Sequence, residues 1–245
     1  MNETPSCILI TGANGGLGTA MARYFLSHDP DCFVYLGARA NRDQAEAIAA
    51  EFDGRAAVVT LDVTDPQGWH DALAEIESDG RAVNVLVNNA GHHDDNLMAM
   101  MSRDSWDGVI DSNLNAVFHG SQAVIRGMMQ QRFGRIINIA SLSAIMAPMG
   151  QTNYAAAKAG VVAMTQSLAK EVARMGITVN AVCPGYVQTS ALDHMDADQA
   201  KAIKKTIPMR RFGEPEEVAS AVFFLAKRES GYITGASLKI DGGIF

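Results

Sequence analysis

The segment Thr11-Gly12-Ala13-Asn14-Gly15-Gly16-Leu17-Gly18 constrains the fold most. It follows an apolar, β-rich run at 6–11 (SCILIT) and opens a pattern that reads as a helix over 16–28. Glycines at such a junction let the main chain turn tightly from strand into helix. They also leave room for an anion over the helix N-terminus, where free N–H groups and the helix dipole favour negative charge. A dinucleotide diphosphate suits that site, with Gly12, Asn14, Gly15, Gly16, Leu17 and Gly18 around it.

The rest of the chain keeps the same rhythm. Short β-rich runs at 32–36, 56–61, 83–87, 135–140, 177–182 and 237–240 alternate with amphipathic stretches at 42–52, 66–79, 103–131, 152–174 and 215–226. Alternation of this kind means βαβ units. Right-handed crossovers then give a Rossmann-like, doubly wound parallel sheet of about seven strands with helices on both faces. The expectation is an α/β fold in a single dinucleotide-binding and catalytic domain over 1–245. One polar, helix-forming excursion at about 186–208 breaks the rhythm and reads as a substrate lid.

Composition narrows the partners. Of 245 residues 48% are apolar, enough for a large core, and the net charge is −7. That balance argues against a nucleic-acid or membrane surface, which needs a dominant basic patch. Cys7, Cys32 and Cys183 are far apart and sit in or beside apolar runs, so they read as reduced core thiols. No leader pattern and no membrane-length apolar run is seen, and a cytoplasmic location is expected.

The end of the second strand bears on the cofactor. Leu36-Gly37-Ala38-Arg39 carries an arginine where an acidic residue would select a free ribose 2′-hydroxyl. NADPH is therefore expected, with Arg39 at the 2′-phosphate and Arg42 as the second candidate. Asp62, followed by Val63, is placed to accept from the adenine amine. Asn89, Ala90 and Gly91 end the fourth strand; the two small residues admit the cofactor, and Asn89 either binds ribose or holds the strand edge.

Tyr154 alone among the tyrosines has lysine four residues on, at Lys158. On a helix that spacing puts both side chains on one face. Carbonyl reduction needs a hydride at carbon and a proton at oxygen. An ammonium near a phenol favours the phenolate and makes it a better acid near neutral pH. Ser141 ends the fifth strand, where its hydroxyl can bond a substrate carbonyl. Asn113 lies within the long helical stretch, where a buried asparagine is unfavourable without a task such as holding a water near Lys158.

With these residues assembled, the chain resembles the short-chain dehydrogenases/reductases. The resemblance runs from Ile8 to Gly243 and rests on TGANGGLG, NNAG, Asn113, Ser141, Tyr154-x-x-x-Lys158 and Pro184-Gly185. Within that family it is most similar to bacterial 3-oxoacyl-(acyl-carrier-protein) reductases, through Asp95-Asn96-Leu97, Gly134-Arg135-Ile136-Ile137, the stretch from Asn153 to Gly160, and Tyr232-Ile233-Thr234-Gly235. The Tyr–Lys spacing speaks against the enoyl-reductase branch.

The resemblance implies a homotetramer that reduces a carrier-bound 3-oxoacyl thioester to the 3-hydroxyacyl form, in fatty-acid or polyketide-type synthesis. Tyr154 would be the acid, Ser141 the carbonyl partner, Lys158 the ribose and pKa anchor, and Asn113 the relay residue. Tyr154 and Lys158 would also touch the cofactor, as would Pro184, Gly185, Val187 and Thr189. An NAD(P)-dependent reductase or dehydrogenase of a free sugar, polyol or cyclic alcohol is the alternative.

Two departures stand out. The family's NADPH forms often carry a basic residue where this chain has Gly15, which leaves the 2′-phosphate to Arg39. Docking of the acidic carrier in these reductases uses two basic positions near the active-site mouth; Arg132 matches one, but Met175 occupies the other with Arg174 one step away, and Lys201, Lys204 and Lys205 read either as a further docking aid or as a solvated face. His92-His93-Asp94-Asp95, after NNAG, reads either as an exposed loop or as one lining the substrate channel; in the second case the histidine pair hints at an acyl chain unlike a plain fatty one, and no metal is expected there.

Overall fold

The computed structural model describes residues 6–193 and 195–245, without the side chain of residue 191. Among them, seven parallel strands form one sheet in the order β3-β2-β1-β4-β5-β6-β7. The strands are β1 (Cys7–Thr11), β2 (Phe33–Ala38), β3 (Ala56–Thr60), β4 (Val85–Asn88), β5 (Gly134–Ile139), β6 (Ile177–Pro184) and β7 (Ser237–Ile240). The order reverses between β1 and β4, so a crevice opens at their C-terminal ends, where open α/β sheets bind ligands.

Helices α1 (Gly16–His28), α2 (Asp43–Glu51) and α3 (Pro66–Ser78) return the chain from the first three strands. Helix α4 (Arg103–Ile110) leads towards α5 (Ala116–Gln131), and a helical turn α6 (Ser143–Met146) precedes the long α7 (Thr152–Val172). Helices α8 (Ala197–Thr206) and α9 (Pro215–Ala226) complete the chain. Successive strand residues point to opposite faces. Ile8 and Ile10 pack with Met21 and Phe25 of α1, Ile48 of α2 and Val222 of α9 on one face. Leu9 packs with Trp69 of α3, Met128 of α5 and Val172 of α7 on the other. The three cysteines are buried and unpaired, and burial pushes the thiols of Cys7 and Cys32 up to about 12.

One expectation needs correction. The continuous helix foreseen over 103–131 is interrupted by a π-helical turn at Asp111–Asn115. The cause is local. Ser112 Oγ donates to the Gly108 carbonyl at 2.9 Å, and Asn113 Nδ2 donates to the Val109 carbonyl at 2.9 Å. Side chains that bond carbonyls four residues back compete with the main-chain ladder. The ladder here widens, and the Ala116 N–H reaches the Asp111 carbonyl.

The excursion at 186–208 contains a short 3₁₀ turn, Ser190–Leu192, and α8 with its Asp196–Gln199 capping box. His194, within the foreseen lid, lies outside the described residues. No helix among the described residues is long and apolar enough to cross a membrane.

Candidate active site

The glycine-rich turn is built as its sequence requires. Gly12 has φ +62°, and a Cβ there would stand 2.9 Å from the Ala90 Cα. A Cβ at Gly18 would stand 2.3 Å from the Gly12 carbonyl oxygen, so only glycine lets α1 start so close to the turn. Gly16 packs in the same way against the Thr189 side chain. No side chain caps the N-terminus of α1, which leaves its first amides available to an anion.

Thr11 was not singled out in the sequence, yet it ties the two central strands together. Its hydroxyl accepts from the amides of Asn89 and Ala90, both at 2.9 Å. Asn89 Nδ2 in turn donates to the Thr11 carbonyl at 2.9 Å and the Gly12 carbonyl at 3.1 Å. Asn89 thus holds the strand edge, one of its two foreseen roles, and also lines the cleft. The threonine opening the glycine-rich segment was the available signal.

Two adjoining cavities follow this crevice, of about 370 and 640 Å³, sharing Gly15, Asn89, Gly91 and His92. The larger takes in Gly12, Asn14, Arg39, Asp62, Val63 and Ala90, together with Gly37 and Asn41, which were not foreseen. The smaller takes in Gly16, Leu17, Asn113, Ser141, Tyr154, Lys158, Pro184, Gly185, Val187 and Thr189. Apart from Gly18, which is buried in α1, the expected cofactor and proton-transfer residues line one continuous cleft.

Arg39 and Asp62 face each other at 3.5 Å. Two hydrogen bonds from Thr64 come first in holding the Asp62 carboxyl below its usual range, with Arg39 contributing less. Arg42 is engaged elsewhere, donating to Thr60 Oγ1 at 2.9 Å and pairing with Glu46 at 3.3 Å. It does not line the larger cavity, and a share in phosphate binding would need it to leave one of these exposed partners. Val187 bridges to Gly213, but the bonds are made by its neighbours Tyr186 and Gln188, so its own peptide groups stay outside the bridge.

At the far end of the cleft Ser141, just past β5, meets the first turns of α7. Lys158 is 3% exposed and donates from Nζ to the Ile139 carbonyl at 2.8 Å. Burial lowers its ammonium to about 8. Its Nζ stands 5.6 Å from the centroid of the Tyr154 ring. The Tyr154 phenol is pushed up, because desolvation outweighs the lowering by its Ser141 partner, and Asp95 adds to the rise. The sequence reading had the lysine lowering the phenol; in this environment burial prevails.

Asn113 is fully buried, and its Nδ2 donates to the carbonyls of Val109 and His92. Its Oδ1 is buried without a partner, an acceptor held beside Gly91 and close to Lys158. A cleft with an open helix N-terminus, glycine walls and an unsatisfied acceptor fits a dinucleotide. No group of three or more potential ligands that could hold a metal occurs among the described residues.

Arg132 and Arg174 do not lie at this mouth. Arg132 caps α5 in a left-handed conformation and Arg174 sits in a 3₁₀ turn, just before β5 and β6 begin. Ser141 and Pro184 follow or end those parallel strands. The two arginines therefore stand at the opposite edge of the sheet, a placement that helical pattern alone does not reveal.

A family model described as enoyl-(acyl carrier protein) reductase matches residues 12–244. The chain belongs to the short-chain dehydrogenase/reductase family. It is a nicotinamide-dependent oxidoreductase by that membership. The chain is 41% identical to 3-oxoacyl-[acyl-carrier-protein] reductase of Vibrio harveyi over 245 residues, covering 100% of this chain and 99% of that protein. The corresponding protein of Escherichia coli K12 is 40% identical with the same coverage. Nodulation protein G of Azospirillum brasilense is 41% identical over 239 residues, covering 96% of each. Among solved structures, a putative gluconate dehydrogenase from Agrobacterium tumefaciens superposes with a TM-score of 0.93 at 30% identity, covering 98% of this chain and 95% of that one.

Proposed function

We propose that this protein uses NADPH to reduce a carrier-bound 3-oxoacyl thioester to the 3-hydroxyacyl form. The observation carrying the substrate class is the full-length similarity, at about 40% identity, to reductases titled with that activity. The description of the family model names enoyl reduction instead, but Tyr154 and Lys158 stand one helical turn apart, the spacing that speaks for carbonyl chemistry.

Glycines 12, 15, 16 and 18 and the start of α1 would hold the diphosphate, Arg39 the 2′-phosphate, and Lys158 the nicotinamide ribose. When bound, the nicotinamide supplies the hydride. Ser141 orients the carbonyl oxygen and stabilises the charge that develops on it. Tyr154 gives that oxygen a proton, and its phenolate is reprotonated from solvent through Lys158 and the Asn113 corner.

Docking of an acidic carrier needs local basic residues, since this chain is itself at −7. Lys201, Lys204 and Lys205 of α8 offer them on the segment beside the cleft. Arg132 and Arg174, at the far ends of β5 and β6 from this cleft, would serve the mouth of a second copy paired with this one. A homotetramer of the kind the family resemblance implies would contain that pairing.

The second reading, a free hydroxylated ketone or alcohol, draws on the likeness to a putative gluconate dehydrogenase. The test is NADPH oxidation with a 3-oxoacyl group on acyl carrier protein, as a simple thioester, and with a free polyol ketone. Highest kcat/KM on the carrier-bound form supports the first reading; preference for the free ketone overturns it.

A further inference from the structure

The loop after β4 carries two histidines that the mechanism leaves unused. His92 Nδ1 lies 2.9 Å from Ser112 Oγ, and His93 Nδ1 lies 3.2 Å from Asp95 Oδ1. His92 borders the cofactor cleft. His93 also lines an adjoining cavity of about 260 Å³, which shares Ser141 and Tyr154 with the smaller part of the cleft and extends away from the glycine-rich turn.

The second cavity is where a substrate's neighbouring atoms must lie. Its wall is largely apolar, with Leu142, Met146, Pro148, Leu192 and Met195. His93 belongs to its polar side and meets Tyr154 edge to face, with ring centroids 6.0 Å apart. The position of His93 is tied to the reacting centre by a chain of hydrogen bonds. Gln151 Nε2 donates to Asp95 Oδ2 at 2.7 Å, Ser143 Oγ donates to Gln151 Oε1 at 2.8 Å, and the Ser143 amide donates to Ser141 Oγ at 3.1 Å.

That chain determines what His93 offers. A carboxylate only accepts, so the hydrogen shared with Asp95 is on Nδ1. In the neutral ring Nε2 is then a lone-pair acceptor. Among the described residues no protein donor meets it.

We propose that His93 is a specificity-determining residue, and that the ketone substrate carries a hydroxyl group close to the reacting carbonyl which donates to His93 Nε2. The inference rests on carbonyl reduction at Tyr154 and Ser141, and it narrows the acyl chain to a hydroxylated one. The His93 side chain is 49% exposed, so Nε2 is open to water; a plain alkyl chain seated in the cavity would displace that water without replacing its hydrogen bond, whereas a hydroxyl would replace it.

The experiment compares N-acetylcysteamine thioesters of 5-hydroxy-3-oxohexanoate and 3-oxohexanoate, with NADPH and the full chain. The parent is expected to favour the hydroxylated substrate by about tenfold or more in kcat/KM. His93→Leu brings that ratio to near one, and His93→Gln, which keeps an amide oxygen within reach, restores part of it. A purely structural role would lower both substrates alike and leave the ratio unchanged. No preference in the parent, or a preference that survives in His93→Leu, overturns the proposal. If neither thioester is reduced, the acyl-thioester reading fails, and 4-hydroxybutan-2-one against butan-2-one carries the same comparison. Absence of a His93-dependent preference there, or of turnover with all four compounds, overturns the inference as well.

Discussion

The ammonium of Lys158 donates to the main-chain carbonyl of Ile139 at 2.8 Å, from a position 3% exposed to solvent. Burial sets its value at about 8 against an ordinary 10.5. Between those pH values the folded protein has released a proton that the unfolded chain still holds, so stability rises as pH climbs from about 8 to 10.5. Below that window the charge costs the fold on the order of 3 kcal/mol. Lys158→Met is therefore expected to melt no lower than the parent at pH 7, with the difference shifting in the parent's favour towards pH 10, while turnover is lost. Thermal melts at both pH values check this.

Tyr154→Phe removes the proton donor and its hydrogen bond with Ser141. Its ring stays against His93, and the backbone bond from its amide to Asn153 Oδ1 at 2.8 Å is unaffected. A loss of about 10²–10⁴ in kcat is expected, the range for a positioned acid. Cofactor affinity, followed by nicotinamide fluorescence, changes little. Because burial raises the phenol, the parent's acid stays protonated through neutral pH and reduction should decline only in the alkaline range.

The facing of Arg39 and Asp62 bears on cofactor choice. A 2′-phosphate competes with Asp62 for the guanidinium, and their 3.5 Å separation in an exposed setting makes that contact weak. Arg39→Ala is expected to cut kcat/KM for NADPH by about tenfold or more and leave NADH nearly unchanged. Asp62→Asn should move the NADPH-to-NADH ratio the other way. Equal losses with both cofactors would remove Arg39 from the phosphate site.

The fold was legible because its signals are local. The strand-turn-helix at Thr11–Gly18 and the repeating apolar runs predict each strand to within about two residues, and the Tyr154–Lys158 spacing needs only a helix to converge. What was not legible depends on competition or on distance. The π-helical turn follows from two side chains taking carbonyls from the ladder, a contest that hydrophobic period does not record. Thr11 acts across the sheet on Asn89 and Ala90, which its neighbours in sequence cannot show. The rise of the Tyr154 phenol depends on how deeply the helix is packed, and the location of Arg132 and Arg174 depends on which end of a strand each precedes.

Gly91 offers a test of how tightly the relay corner is built. A Cβ there would stand 2.3 Å from Asn113 Oδ1 and 3.7 Å from Lys158 Nζ. Asn113 cannot retreat easily, because its Nδ2 is held by the Val109 and His92 carbonyls at 2.9 and 2.6 Å. Gly91→Ala must therefore displace a buried, hydrogen-bonded side chain at a cost of about 1–3 kcal/mol. The displacement falls on the groups assigned to reprotonate Tyr154, so kcat should drop by at least tenfold while the protein still folds. Adding Asn113→Ala to Gly91→Ala removes the clash, and the double variant should regain the lost thermal stability without regaining the rate. Recovery of both would mean that Asn113 serves only packing.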